Sequence, residues 1–195
     1  MDNFVSFSIA ILGGTGKEGK GLAYRWAKAG YPVWIGSRTP EKAVGAARDI
    51  SNMLGGEFEI EGLENLEAAR NAEVVVLTVP YTAHRATLEY VKDALQGKIL
   101  IDVTVPIVPP KVSTVQMPEA GSAAQEARQI VGAGVEVCAA FQNISYEHFL
   151  GDEPVECDVL VTGTPAEVAV SPRARAVYLG ERFALDPLPD APAVI

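Results

Sequence analysis

The sequence predicts a doubly wound α/β fold built on a mostly parallel sheet. Three observations carry that expectation. Short runs rich in β-branched residues alternate with stretches of helical spacing. One run, Val74-Val75-Val76-Leu77, is apolar on both faces, as a central parallel strand is. A glycine cluster, Gly13-Gly14-Thr15-Gly16, joins the first strand to the first helix. Alternation of this kind calls for right-handed crossovers, which put helices on both faces of the sheet.

Residues 6–12 read as the first strand and 17–29 as the first helix, closed by Gly30. A strand at 32–35 leads into a helix at 40–54, whose Thr39-Pro40 start supplies an N-cap and a proline at the first helical position. Residues 57–60 give a short third strand, 64–72 a short helix and 73–79 the fourth strand. Helix 82–95 and strand 98–103 follow. The connection at 104–117 is proline-rich, of the kind that closes over a site instead of packing in a core. Residues 121–131 are helical, 135–139 form a strand and 157–162 another. Beyond Gly163, five prolines interrupt any long helix and only 178–185 reads as ordered. The acidic group Glu61, Glu64 and Glu67 reads as a solvated helix face.

Composition narrows the function. A chain of 195 residues, 48% hydrophobic and 21% charged, buries one substantial core, so disorder and fibrous architectures are excluded. Acidic residues outnumber basic ones 25 to 16, a net charge of -9 that repels phosphate backbones and anionic headgroups. General nucleic-acid and membrane-surface binding are therefore not expected. No stretch reaches the roughly 20 apolar residues that span a bilayer. The apolar run 4–12 lacks the basic flank and cleavage site of a secretion signal. Cys138 and Cys157 have no metal-like spacing and read as two small buried thiols in a reducing compartment, so a cytoplasmic protein is expected. His148 likewise lacks partners at metal-ligand spacing, and no metal site is expected.

The chemistry begins at Gly14-Thr15-Gly16-Lys17-Glu18-Gly19, a G-x-G-x-x-G between a strand and a helix. Gly14 makes the tight turn, Gly16 lets a pyrophosphate approach the backbone, and Gly19 allows close helix–strand packing. Free N–H groups and the positive end of the helix dipole then favour the pyrophosphate. In an NAD site a carboxylate about 20 residues further on binds the ribose hydroxyls. Here the second strand ends in Gly36-Ser37-Arg38-Thr39, with no carboxylate. A guanidinium and a hydroxyl suit a 2′-phosphate, so the expected cofactor is NADP(H). Lys42, at the third helical position, agrees: a cation in a first turn is disfavoured by roughly 0.3–1 kcal/mol unless an anion is near.

In order along the chain, ILGGTGKEGKGLA, IGSRTPEKA, VVVLTVPYTAH, DVTVP, GSAAQEA and AAFQNIS closely resemble the F420-dependent NADP oxidoreductases, also called NADPH:F420 reductases. The likeness runs from about residue 8 to 163. It implies a Rossmann NADP-binding domain over 1–163 and direct hydride transfer between NADPH and the deazaflavin coenzyme F420. It further implies that Thr15, Gly16, Lys17 and Glu18 lie along the pyrophosphate, with Ser37, Arg38 and Lys42 at the 2′-phosphate. Val79 and Pro80, at the carboxyl end of the fourth strand, and His84, in the following turn, are then expected beside the ribose and diphosphate. Val105 reaches the nicotinamide end, and Asn143 and Tyr146 fall in the segment closing over the rings. His84 has a second reading as a helix-capping residue, and Tyr81 as either a stacking or a packing ring.

Family members continue with helical sequence that completes the F420 pocket and a dimer contact. Residues 168–195 match poorly, so 164–195 is expected to be a divergent, truncated extension of a homodimeric enzyme. Hydride passes between ring carbons, which requires apolar walls such as Val79, Pro80, Val105 and Pro106 and no catalytic side chain. Two alternatives share the nucleotide site. One is an NADPH reductase of another acceptor, such as a flavin, ferric chelate or imine. The other is a non-catalytic NADPH sensor resembling the NmrA-like proteins in its Gly-x-Thr-Gly loop.

Overall fold

The computed structural model describes residues 7–56, 58–110, 115–151 and 153. Among them six strands, β1 (Ile9–Leu12), β2 (Val33–Ser37), β3 (Ile60–Glu64), β4 (Val74–Leu77), β5 (Ile99–Asp102) and β6 (Glu136–Ala139), form one sheet. Its order is β3-β2-β1-β4-β5-β6, with every neighbouring pair parallel. This is the doubly wound Rossmann arrangement. Successive strands run outward from β1 in one direction to β3, and the chain then returns to place β4 on the other side of β1. A crevice opens at that reversal, beyond the carboxyl ends of β1 and β4.

Five helices cover the sheet: α1 (Lys17–Lys28), α2 (Pro40–Met53), α3 (Asn65–Asn71), α4 (Tyr81–Val91) and α5 (Ala123–Val131). All of β1 is buried, and Ala10, Leu12, Val75, Leu77 and Leu100 pack with Leu88 and Val91 of α4 and Ala127 and Val131 of α5. Burying a leucine or valine contributes roughly 1.5–3 kcal/mol, so this cluster holds the strand ends in place without help from the crevice residues. Small side chains set the approach of α2, through Ala43, Ala46 and Ala47. A Cβ at Gly62 would lie 2.1 Å from the carbonyl carbon of Ala43, so only glycine lets β3 meet α2 backbone to backbone.

The segment after β6 folds back over α1. Phe149, 4% exposed, occupies the space beside Gly21 that a Cβ there would need. Arg25 of α1 donates through Nε to the Phe149 carbonyl (2.9 Å) and through Nη2 to the carbonyls of His148 (2.8 Å) and Glu153 (2.7 Å).

Several expectations need correction. The third strand lies at 60–64, not 57–60, because its register is set by pairing with β2, from Val33 opposite Ile60 to Ser37 opposite Glu64. Glu61 and Glu64 therefore belong to a strand and not to a helix face, and the Glu64 carboxylate caps α3 by accepting the Leu66 N–H at 2.8 Å. The fourth helix begins at Tyr81 and tightens into a 3-10 turn over Lys92–Leu95. Cys138 is exposed, on β6, which ends the sheet among the described residues. The expected strand at 157–162, Cys157, the ordered stretch at 178–185 and the boundary at 163/164 lie outside the described residues. Among the described residues no helix is long and apolar enough to cross a membrane.

Candidate functional site: a cleft at the carboxyl edge of the sheet

The crevice is a cleft of about 680 Å³. One end is the turn from β1 into α1. Gly13 adopts a left-handed φ of 71° and its N–H donates to Asn65 Oδ1 at 3.2 Å, while the Gly14 N–H reaches the Gly36 carbonyl at 3.0 Å. The turn is thereby tied to α3 and β2. A Cβ on Gly14 would sit 2.7 Å from the Ile11 carbonyl, and one on Gly19 would sit 2.5 Å from the Gly14 Cα. These two glycines are required by the protein's own packing, and neither lines the cleft.

Gly16 differs. It is the N-cap of α1, exposed, with φ −75° and ψ 170°, a conformation open to any residue, and a Cβ there meets nothing closer than 3.9 Å. A side chain there would project into the open space of the cleft that Gly16 lines. No side chain caps α1, so its first-turn N–H groups are available to an anion. Thr15, Gly16, Lys17 and Glu18 all line the cleft here.

Ser37, the last residue of β2, and Arg38 also line it. Ser37 is nearly buried and its Oγ accepts the Thr39 N–H at 3.1 Å, which fixes the hydroxyl at the strand end. Arg38 is exposed and makes no ion pair among the described residues. Lys42 is exposed at the third position of α2, behind Pro40, and does not line the cleft. This end therefore combines open helical N–H groups with a guanidinium and a hydroxyl, a donor set that fits a pyrophosphate and a 2′-phosphate.

Away from that end the lining sets apolar side chains among the threonines Thr78, Thr82, Thr87 and Thr104. Val79, Pro80 and Val105 line the cleft here as expected from sequence, joined by Val103, Ile107 and Pro109, while Pro106 does not. The Gln142 side chain closes this end together with Phe141 and Ile144. Phe141 has a φ of 69°, uncommon for a residue with a side chain, and it is held there by edge-on contacts with Trp26 (5.9 Å) and Phe149 (6.1 Å). Asn65, Phe141 and Gln142 escaped the sequence reading. Phe141 and Gln142 fall in the AAFQNIS segment of the family likeness without being singled out in it, and nothing local marks Asn65.

Two expected positions lie to one side. Asn143 does not line the cleft although its neighbours do. Tyr146 also stands outside the lining, yet its hydroxyl is 2.8 Å from Lys17 Nζ, and the ammonium lies 4.6 Å from its ring centre. That hydrogen bond raises the Lys17 pKa above the usual lysine value.

His84 requires a correction of place. It lies within α4, not in a turn before it, and is fully buried away from the cleft. Its Nε2 is 2.9 Å from Asp102 Oδ2, also fully buried, and its Nδ1 is 3.4 Å from Glu126 Oε2. The helical period explains this: His84 and Leu88 are four apart and share the inward face of α4. Tyr81, at the start of the helix, does line the cleft and donates to Glu126 Oε2 at 3.0 Å.

Glu18 brings a like charge to the anion-binding end. Burial raises its pKa, and Oε1 has no hydrogen-bond partner among the described residues. A folded-state pKa above the unfolded one means that the fold binds more protons. Stability from this group is thus full below the ordinary carboxylate pKa and is lost as pH rises through the raised value. Glu18→Gln is expected to flatten that decline and to tighten binding of a dinucleotide phosphate roughly two- to fivefold at neutral pH. Thermal melts from pH 4 to 8 and a nucleotide titration check it; weaker binding by the variant would show that the carboxylate itself is a needed ligand.

A family model for the coenzyme F420-dependent NADP oxidoreductases matches residues 8–106. The chain is 45% identical over 159 residues to the F420-dependent NADP reductase of Methanothermobacter marburgensis, covering 78% of this chain and 71% of that one. It is 40% identical to the enzyme of that name from Methanocaldococcus jannaschii, over 82% and 74% of the two chains. Among solved structures, a putative F420-dependent NADP-reductase from Arthrobacter sp. FB24 superimposes with a TM-score of 0.62 at 23% identity, over 73% of this chain and 65% of its own. Lactate dehydrogenase from Eimeria maxima, solved with NADH and oxamate, aligns at 0.51 and 17%, over 72% and 44%. These two likenesses concern the fold.

Proposed function

Because the chain belongs to the coenzyme F420-dependent NADP oxidoreductase family, we propose that it catalyses direct hydride transfer between NADPH and the deazaflavin F420. The observation that carries this reading is the polarity of one continuous cleft, anion-binding at Gly16, Ser37 and Arg38 and apolar at Val79, Pro80 and Val105. A dinucleotide lying across the strand reversal would have its phosphates at the first end and its reactive ring at the second.

In this reading the α1 N-terminus, with Thr15, Gly16, Lys17 and Glu18, binds the pyrophosphate through backbone N–H groups. Ser37 and Arg38 hold the 2′-phosphate, with Lys42 adding positive potential from the next helical turn. NADPH supplies the hydride and the deazaflavin accepts it. Val79, Pro80, Val105 and Ile107 would present an apolar wall to a bound ring and keep water from the reacting faces, which is what a hydride transfer between ring carbons asks of the protein. Asn143 and Tyr146 border the segment that covers the rings, and Gly14 and Gly19 act through packing. His84 has no direct contact in this scheme. The family likeness also supports a cytoplasmic homodimer with a nucleotide-binding domain over 1–163.

The test mixes full-length protein with NADPH and oxidised F420 and follows the deazaflavin's visible absorbance, with NADH as control; light scattering on the same sample reads the mass. Bleaching with NADPH and far slower bleaching with NADH is expected. NADPH binding without bleaching would refute the acceptor assignment and leave another acceptor, or a sensor, in its place.

A further inference from the structure

The reaction as read above uses no acid or base, yet the molecule buries ionisable side chains directly behind the end of the cleft that Val79, Pro80 and Val105 line. Asp102 and His84 are both 0% exposed. Replacing such a pair by packed hydrophobic residues is often neutral or stabilising, so its presence calls for a role other than cohesion.

The connections of the pair indicate that role. Asp102 is the last residue of β5, where the sheet ends and the cleft wall begins. Its Oδ1 accepts the Thr104 N–H at 2.9 Å, and its main-chain carbonyl accepts Gln142 Nε2 at 2.8 Å. Thr104 and Gln142 both line the cleft; Asp102 does not. Its Oδ2 meets His84 Nε2 at 2.9 Å, and on the far side of the imidazole Nδ1 lies 3.4 Å from Glu126 Oε2 without a hydrogen bond. Glu126 in turn accepts from the Tyr81 hydroxyl and from Arg85, at 3.0 and 2.6 Å. One buried ring therefore stands between carboxylates that hold two separate parts of the wall, the turn after β5 and the start of α4. With Arg85 included, the cluster sets two carboxylates against an imidazole and a guanidinium.

We infer that Asp102 and His84 are positioning residues that fix the wall formed by the 103–105 turn, Gln142 and Tyr81, and so set the angle at which the nicotinamide ring is held. The inference rests on the function proposed above for the same cleft. Neither side chain touches the nucleotide. Their effect is on the orientation of the bound ring and not on the grip on its phosphates, which are held at the other end.

The variant Asp102→Asn is isosteric, keeps the acceptor for Thr104 and changes the side facing His84. Two readouts are taken well below its melting temperature. The first is the fluorescence anisotropy of bound NADPH with its dissociation constant; the second is the single-turnover rate of hydride transfer to F420. The expected result is a clear loss of anisotropy from a loosened ring, a dissociation constant within threefold of the parent, and a transfer rate reduced at least tenfold. Unchanged anisotropy and rate, whatever the melting temperature does, would reduce the pair to a structural element and overturn the inference. A dissociation constant weakened in step with the rate would also overturn it, since the defect would then lie in binding. If the parent binds NADPH but does not reduce F420, the function proposed above fails while anisotropy still decides the positioning role. If the parent binds no NADPH, both fail. Should Asp102→Asn not fold, Glu126→Gln perturbs the other arm of the cluster and is expected to lower anisotropy and rate in the same direction; no change in either overturns the inference.

Discussion

Arg38→Ala weakens NADPH binding by roughly 1.5–3 kcal/mol, about ten- to hundredfold, and leaves NADH binding nearly unchanged. The physical reason is a charge-assisted pair that exists for one nucleotide only. Arg38 lines the cleft at the end of β2, exposed and without an ion pair among the described residues, so its removal strands no buried partner. Ser37 stays in place, because its hydroxyl is fixed by the Thr39 N–H. Paired titrations with both nucleotides at fixed ionic strength make the comparison. Equal losses would move the guanidinium from the 2′-phosphate to a contact common to both, and the specificity assignment would fall.

Gly16→Val abolishes binding of both nucleotides while the melting temperature of the nucleotide-free protein changes little. The two halves of this expectation rest on one observation, that a Cβ at residue 16 meets no protein atom closer than 3.9 Å in a backbone conformation open to any residue. A branched side chain is therefore tolerated by the fold and projects into the cleft. Losses greater than about a hundredfold for both nucleotides are expected, since backbone N–H contacts and the helix dipole both require close approach. Retained affinity with an intact fold would mean that the loop is only a turn.

The contrast between Gly16 and its neighbours shows what could be read in the sequence. The strand–turn–helix context of Gly14, Gly16 and Gly19 was legible, and so were the packing duties of Gly14 and Gly19, because a loop that bends and a helix that packs closely on it each need glycine for a steric reason of their own. The central place of Val74–Leu77 was legible too, from a run apolar on both faces that only flanking strands and helices can cover. The edge was not. Glu-Phe-Glu-Ile alternates as well as the true third strand does, and the choice is made by Gly62, whose missing Cβ admits α2, a contact that no local pattern records. His84 shows the same limit within the site. Its distance after the strand end suggested the cofactor, but it sits on the face of α4 that the helical period turns inward, toward Asp102. A buried carboxylate at a strand end and a histidine on the next inward helical face are each unremarkable; only the parallel register of β4 and β5 brings α4 over Asp102. The other end of the cleft was half legible, with Val79, Pro80 and Val105 visible as strand-end residues and Phe141 hidden in an irregular segment.

The clasp on α1 has a meaning for how the chain is made. The helix that follows the glycine loop leaves the ribosome before the Phe149 carbonyl that Arg25 holds, which comes 124 positions later. At about 5–20 residues per second the interval is roughly 6–25 s. Through that time β1, α1 and β2 can associate, but the groove at Gly21 has no Phe149 to fill it and the Arg25 guanidinium has none of its three carbonyls. The glycine-loop motif is thus sealed only after residues 148–153 have been made, and a nascent chain ending before residue 148 carries that loop on a helix whose contacts at Gly21 and Arg25 are still missing.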